Sequence, residues 1–176
     1  MDTTRESDTA PVKNRTTVER TSEREVVFRR TINGPARIVF EAWSKPELVK
    51  RWWAPKSTGL TLLTCEMDVR VGGKYRLVFS HPAAPEPMAF FGIYREVTPH
   101  SRIVWTNEEG GADRVSFTTA TFEEHGGKTR LVVSELHPTK GALDEAMASG
   151  MEVGTRESYE QLEELVATLV AGAGRS

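Results

Sequence analysis

The side chains that chemistry would need are scattered along this sequence, and their spacing excludes most catalytic constellations. Four histidines, His81, His100, His125 and His137, fall at strand ends or turns, and no pair has the i, i+4 spacing of a helical zinc site. Cys65 is the single cysteine, so neither a disulfide framework nor a thiolate cage is expected. There is no Gly-x-Ser-x-Gly elbow to expose a nucleophile. Gly72-Gly73 is a turn with no helix start behind it, and so not a phosphate loop. Glu108-Glu109, Glu123-Glu124 and Glu163-Glu164 read as solvated turns and helix faces, not as the environment-split carboxylate pairs of acid–base catalysis. Asp68 and Arg70, two apart, read as a structural ion pair. No metal, cofactor or catalytic residue is assigned. A catalytic alternative would need Asp68, Glu96 or His81 inside a cavity with a shifted pKa.

A binding surface is easier to find than a reacting one. On a helix turning about 100° per residue, Met147, Met151, Gly154, Thr155, Ser158, Leu162, Leu165, Val166 and Leu169 share one face. Glu152, Arg156, Glu157, Glu160, Glu163 and Glu164 fall opposite. The C-terminal half of the stripe is Leu and Val, which pack. The N-terminal half is Met, Gly, Thr and Ser, which are adaptable or small. Such a helix can wall a cavity at one end, or it can be plain core with small residues at a close approach. Ser149-Gly150-Met151-Glu152 has capping-box spacing and would open the helix near Gly150; one continuous helix from about Gly141 is the alternative.

The elements that must position these residues follow from the punctuation. A first strand is predicted over 24–32, stopped by Asn33-Gly34-Pro35, with Pro35 opening a helix over 36–43. Ser44-Lys45-Pro46-Glu47 predicts a second capping box and a short helix to Trp52, closed at Ala54-Pro55. Six strands with short turns follow, over 60–66, 74–80, 88–97, 102–106, 115–123 and 129–136. The pattern is an α+β domain: a curved seven-stranded antiparallel sheet around a long C-terminal helix, with two short helices after the first strand.

The 176 residues suit one domain, placed at 23–171, with a disordered leader at 1–22 and a flexible tail at 172–176. Ordering the leader would cost roughly 1–2 kcal/mol per residue, against about 3–6 kcal/mol from burying Val12 and Val18. The net charge of −2, with no Lys/Arg block, gives no footprint for nucleic acid or anionic membrane. No apolar run reaches the roughly 18 residues of a membrane span, and there is no signal-peptide core, so a cytoplasmic protein is expected.

Five segments resemble one family in order. They are Ala42-Trp43-Ser44-Lys45-Pro46-Glu47, Arg51-Trp52-Trp53-Ala54-Pro55, Asp68-Val69-Arg70-Val71-Gly72-Gly73-Lys74-Tyr75, Phe91-Gly92-Ile93-Tyr94-Arg95-Glu96-Val97 and Gly127-Lys128-Thr129-Arg130-Leu131. With the layout, they are similar to the SRPBCC, or START-like, superfamily with its helix-grip fold. The subfamily resembled is that of the C-terminal domain of the activator of Hsp90 ATPase. Members often carry Gly-Trp early in the last helix, where this chain reads Gly154-Thr155, a change that would enlarge or reshape a cavity. The eukaryotic co-chaperone has a further N-terminal domain not among these residues, so the resemblance does not imply chaperone activation.

The resemblance implies an elongated, mostly apolar cavity between the sheet and the long helix. Its expected lining is Tyr75, Leu77 and Phe79 on one strand, Phe90, Gly92 and Tyr94 on the next, and Ile103 and Trp105 on the third. Met147, Met151, Thr155 and Ser158 would close it from the helix side. Tyr75, Tyr94, Thr155 and Ser158 would orient a ligand. Three functions stay open: a small apolar, aromatic or lipid-like ligand bound without catalysis; a chaperone-related or regulatory partner, or homodimer, through Trp52 or Trp53; and a cavity enzyme of cyclase, dehydratase or hydrolase type. For the Trp pair, one ring is expected in the core and the other at the cavity mouth or on a partner surface.

Overall fold

The computed structural model describes residues 14–173. Its elements follow the expected order. Strands β1 (Thr17–Arg20) and β2 (Glu25–Ile32) precede helices α1 (Ala36–Ser44) and α2 (Pro46–Trp52). Six strands follow: β3 (Thr61–Met67), β4 (Lys74–Ser80), β5 (Met88–Thr98), β6 (Arg102–Asn107), β7 (Ser116–His125) and β8 (Lys128–Leu136). Helices α3 (Lys140–Ala148) and α4 (Met151–Ala173) end the chain. All strands join one antiparallel sheet of eight, in the order β1-β2-β8-β7-β6-β5-β4-β3. The sheet is curved and unclosed, with α4 laid against α1, α2 and the β2 side.

The eighth strand is β1. Residues 17–20 lie within the stretch read as leader, yet they pair with β2 from Thr17↔Arg29 to Arg20↔Val26. Backbone pairing and long-range polar ties order them, where a count of buried apolar side chains alone predicts disorder. Arg156 on α4 donates to the Thr16 carbonyl. Arg30, only 7% exposed, donates to Thr16 Oγ1 at 3.1 Å and pairs with Glu163 at 2.9 Å. Residues 1–13 of the leader and 174–176 of the tail lie outside the described residues.

Neither predicted capping box forms. Ser44 is the last residue of α1, and its hydroxyl donates to the Phe40 carbonyl instead. Lys45 caps α2 without a side-chain bond, Pro46 takes the first helical turn, and Pro35 sits one position outside α1. Ser149 likewise donates back, to the Ala146 carbonyl at 2.7 Å, so it closes α3 rather than opening α4. Gly150 then adopts φ +94°, a left-handed conformation that breaks the helix and decides against a continuous rod. Thr139 caps α3, accepting from Ala142 N at 3.0 Å.

The core fills the space between the β2-β8-β7 region, α1 and the C-terminal half of α4. Phe28, Leu131, Val39, Leu162 and Val166 are fully buried there. Each contributes roughly 1.5–3 kcal/mol against exposure. Sheet curvature comes from two irregularities, at 62/64 in β3 and at 94/96 in β5.

Candidate functional site

Between the sheet and the helices lies a cavity of two adjoining lobes. The smaller, about 130 Å³, is lined by residues including Val49, Met67, Tyr75, Leu77, Phe90, Tyr94 and Ile103. The larger, about 380 Å³, is bounded by Met151, Gly154, Thr155, Ser158 and Tyr159 of α4 and by Ser116, Thr118, Val133, Glu135 and His137 across the sheet. Trp43, Trp53, Trp105 and Asn107 line both and form the waist. Trp52 lines the larger lobe, so all four tryptophans and all three tyrosines of the chain border this space.

The indoles are held by one another and by backbone. Trp43 lies with ring centroids 4.9 Å from Trp52, 5.6 Å from Trp53 and 5.9 Å from Trp105. Trp52 Nε1 donates to the Ala42 carbonyl at 2.9 Å. Gln161, buried on α4, donates to the Trp52 and Ala54 carbonyls, both at 2.9 Å, and accepts from Lys56 N at 2.9 Å. Ser158 donates to the Trp53 carbonyl at 2.8 Å. Ser158 and Gln161 of α4 therefore fasten the 52–56 segment, and that segment positions Trp53 over the cavity.

A polar seam crosses the waist. The Tyr75 hydroxyl donates to the Thr106 carbonyl at 2.6 Å and lies 2.8 Å from Asn107 Oδ1. Asn107 Nδ2 donates to Thr118 Oγ1 at 2.9 Å and Ser116 Oγ at 3.1 Å. His137 Nε2 stands 3.3 Å from Glu135 Oε1. Burial pushes the phenols of Tyr75, Tyr94 and Tyr159 well above their usual range, with Glu135 adding to the effect at Tyr159. Burial likewise raises the Glu109 carboxyl.

Nine of the twelve residues expected at the site border it: Tyr75, Leu77, Phe90, Tyr94, Ile103 and Trp105, and Met151, Thr155 and Ser158. Three are placed elsewhere. Phe79 is buried in the sheet core against Phe90, ring centroids 5.5 Å apart. Met147 packs partly buried on the core from α3. Gly92 is where β5 passes so close to β6 that an added Cβ would lie 2.0 Å from the Thr106 carbonyl oxygen; it serves the bend, not the lining. Ser158 lines the larger lobe, but its hydroxyl proton is committed to Trp53. Trp52 is core at 1% exposure, and Trp53 takes the cavity alternative.

The acid–base candidates lie outside both lobes. Asp68 and Arg70 form an exposed pair at 2.8 Å, and Glu96 pairs with Arg102 at 3.0 Å on the surface. His81 is a loop anchor, with Nε2 2.8 Å from the Thr58 carbonyl and Nδ1 accepting from Ala83 N. The sequence reading missed Trp43, Asn107, Glu109, Thr118, Glu135, His137 and Tyr159. Alternation could have found two of them, since Glu135 and His137 lie two apart near the end of a strand whose Val133 faces inward. Cys65 is buried, and burial pushes its thiol up to about 11. Among the described residues no cluster of His, Cys, Asp and Glu has metal-site geometry, and no helix is long and apolar enough to cross a membrane.

A curved antiparallel sheet gripping a long C-terminal helix over an internal cavity defines the helix-grip class of the SRPBCC superfamily. The chain matches the family model for the activator of Hsp90 ATPase homolog 1-like proteins over residues 33–167, and it belongs to that family. A crystal structure from Nitrosomonas europaea is 26% identical, with TM-score 0.77, covering 85% of this chain and 98% of its own. One from Rhodobacter sphaeroides shares the fold at 21% identity and TM-score 0.79, covering 88% and 99%. An AHSA1-like protein from Aeromonas hydrophila shares it at 16% identity and TM-score 0.66, covering 82% and 93%. Among curated proteins none matches the chain.

Proposed function

We propose that this protein binds a small, largely aromatic or apolar molecule in the two-lobed cavity without transforming it. The observation that carries this reading is the gathering of every tryptophan and tyrosine of the chain around one internal space. Ligand sites are apolar clefts with a few convergent polar groups, and Asn107, Thr118 and Thr155 supply those here. The three side chains that catalysis was expected to use lie outside the space. A compound present at 100 times its dissociation constant adds about 2.7 kcal/mol of stability, or roughly 5–10 °C in Tm for a chain of this size. A thermal-shift panel of aromatics, lipids and polyketide-like compounds tests the proposal, and no shift from any of them would count against it.

A cavity enzyme is the second reading, favoured by Glu135 and His137, which meet at 3.3 Å in the wall of the larger lobe. If it holds, a bound compound is consumed by the wild type and recovered intact from His137→Gln. Recovery intact from both favours binding alone.

A further inference from the structure

The indoles around the cavity differ in what their N–H groups meet. Trp52 Nε1 donates to the Ala42 carbonyl at 2.9 Å. Trp43 is 4% exposed, and its Nε1 is the one buried side-chain polar atom without a hydrogen bond among the described residues. The nitrogen is also shielded from water, so solvent does not satisfy it either. Buried polar groups in folded proteins are nearly always paired, and leaving one unpaired is costly. A donor left over in the wall of a cavity therefore points to an acceptor that the cavity takes in. Trp43 borders both lobes, which puts that acceptor at the waist.

A second group in the lining has the same need. Thr118, also 4% exposed, accepts from Asn107 Nδ2 at 2.9 Å, and its own hydroxyl proton has no acceptor among the described residues. The waist is thus richer in donors than in acceptors, and a group that only accepts suits it best. Charge then decides between a carbonyl and a carboxylate. Glu109 and Glu135 border the larger lobe, and no lysine or arginine lines either lobe, so an anionic acceptor would be repelled and unpaired. A neutral carbonyl oxygen meets neither difficulty.

Shape supplies the rest. The smaller lobe has about the space that takes one benzene ring, and the larger lobe lies directly beyond the waist. Resting on the binding reading above, we propose that the cavity takes a neutral aryl ketone. Its ring fills the smaller lobe, its carbonyl oxygen accepts from Trp43 Nε1 at the waist, and the remainder occupies the larger lobe. Entry of the ketone turns the shielded edge of the Trp43 indole toward the oxygen.

Three probes of one shape separate the possibilities. The full chain is titrated at pH 7 by calorimetry with benzophenone, with 1,1-diphenylethene, which replaces the carbonyl oxygen by a methylene, and with the anionic 4-benzoylbenzoate. Benzophenone should bind about fivefold more tightly than the alkene, the usual worth of one neutral hydrogen bond, and the carboxylate should bind most weakly. Trp43→Phe should abolish the preference for ketone over alkene, whatever it does to both affinities alike. A measurement on the wild type serves should that variant not fold: the Trp43 indole proton resonance should move downfield with benzophenone and not with the alkene. Alkene or carboxylate binding as tightly as ketone overturns the proposal and leaves the cavity reading standing. A preference that survives in Trp43→Phe, or an indole resonance that responds alike to both neutral probes, also overturns it. If all three probes fail while other compounds raise Tm, the ketone proposal alone falls; if the whole panel fails too, both fall.

Discussion

Gln161 shows how much of this architecture rests on single polar side chains. It satisfies two carbonyls and one N–H of the 52–56 segment from a buried position. Gln161→Ala should cost about 1–3 kcal/mol for groups left unpaired, read as a lower Tm in calorimetry and as a change in tryptophan emission as Trp53 loosens. Glu163 is the second such residue. It pairs with Arg30, whose side chain is 6% exposed, and also accepts from Asn14 and from Asn33 N. Glu163→Gln leaves a buried guanidinium without its counter-charge and should cost about 3 kcal/mol. If urea melts of the two proteins superimpose, the pair is not structural.

Two carboxyls set opposite pH trends. Hydrogen bonds from Thr21 and Ser134 lower Glu25 below its ordinary 4.5, so its contribution is present above that pH and lost as pH falls through the folded value. Ser134→Ala should therefore lower Tm at pH 7 and flatten its acid decline. Glu109 is raised by burial, so its contribution is present below 4.5 and lost as pH rises through the folded value. Glu109→Gln removes that loss, and its Tm at pH 7 should equal or exceed the wild-type value.

At the level of elements, Gly150 divides the C-terminal region into α3 and α4. Gly150→Ala forces a side chain into φ +94° and should destabilise by about 1–2 kcal/mol. A continuous helix would instead gain from the same change, so the sign of the Tm shift checks the break. Most elements were legible in the sequence because strands such as β4 and β8 alternate between faces and are bounded by glycine or proline. The two capping boxes were misread because Ser44 and Ser149 each bond backward to a carbonyl of the preceding helix, and spacing alone does not distinguish that from capping forward. β1 was missed because its order comes from pairing with β2 and from Arg156 and Arg30, residues far off in sequence. Gly92 kept the face its alternation predicted but not the role, since a close approach to Thr106 belongs to the bend and leaves no mark in the strand itself.

Over the whole molecule, the packed half and the hollow half have separate tasks. Phe28, Leu131, Leu162 and Val166 hold the domain together at one end, while Trp43, Trp53 and Trp105 surround space at the other. Family membership accounts for the architecture. Thr155, which stands where the family resemblance leads one to expect an indole, lines the larger lobe. Restoring bulk at that position tests whether ligands enter here. A compound that stabilises the wild type should give no thermal shift with Thr155→Trp, while the unliganded Tm stays within a few degrees. An undiminished shift in a folded Thr155→Trp protein would place the ligand elsewhere and contradict the account.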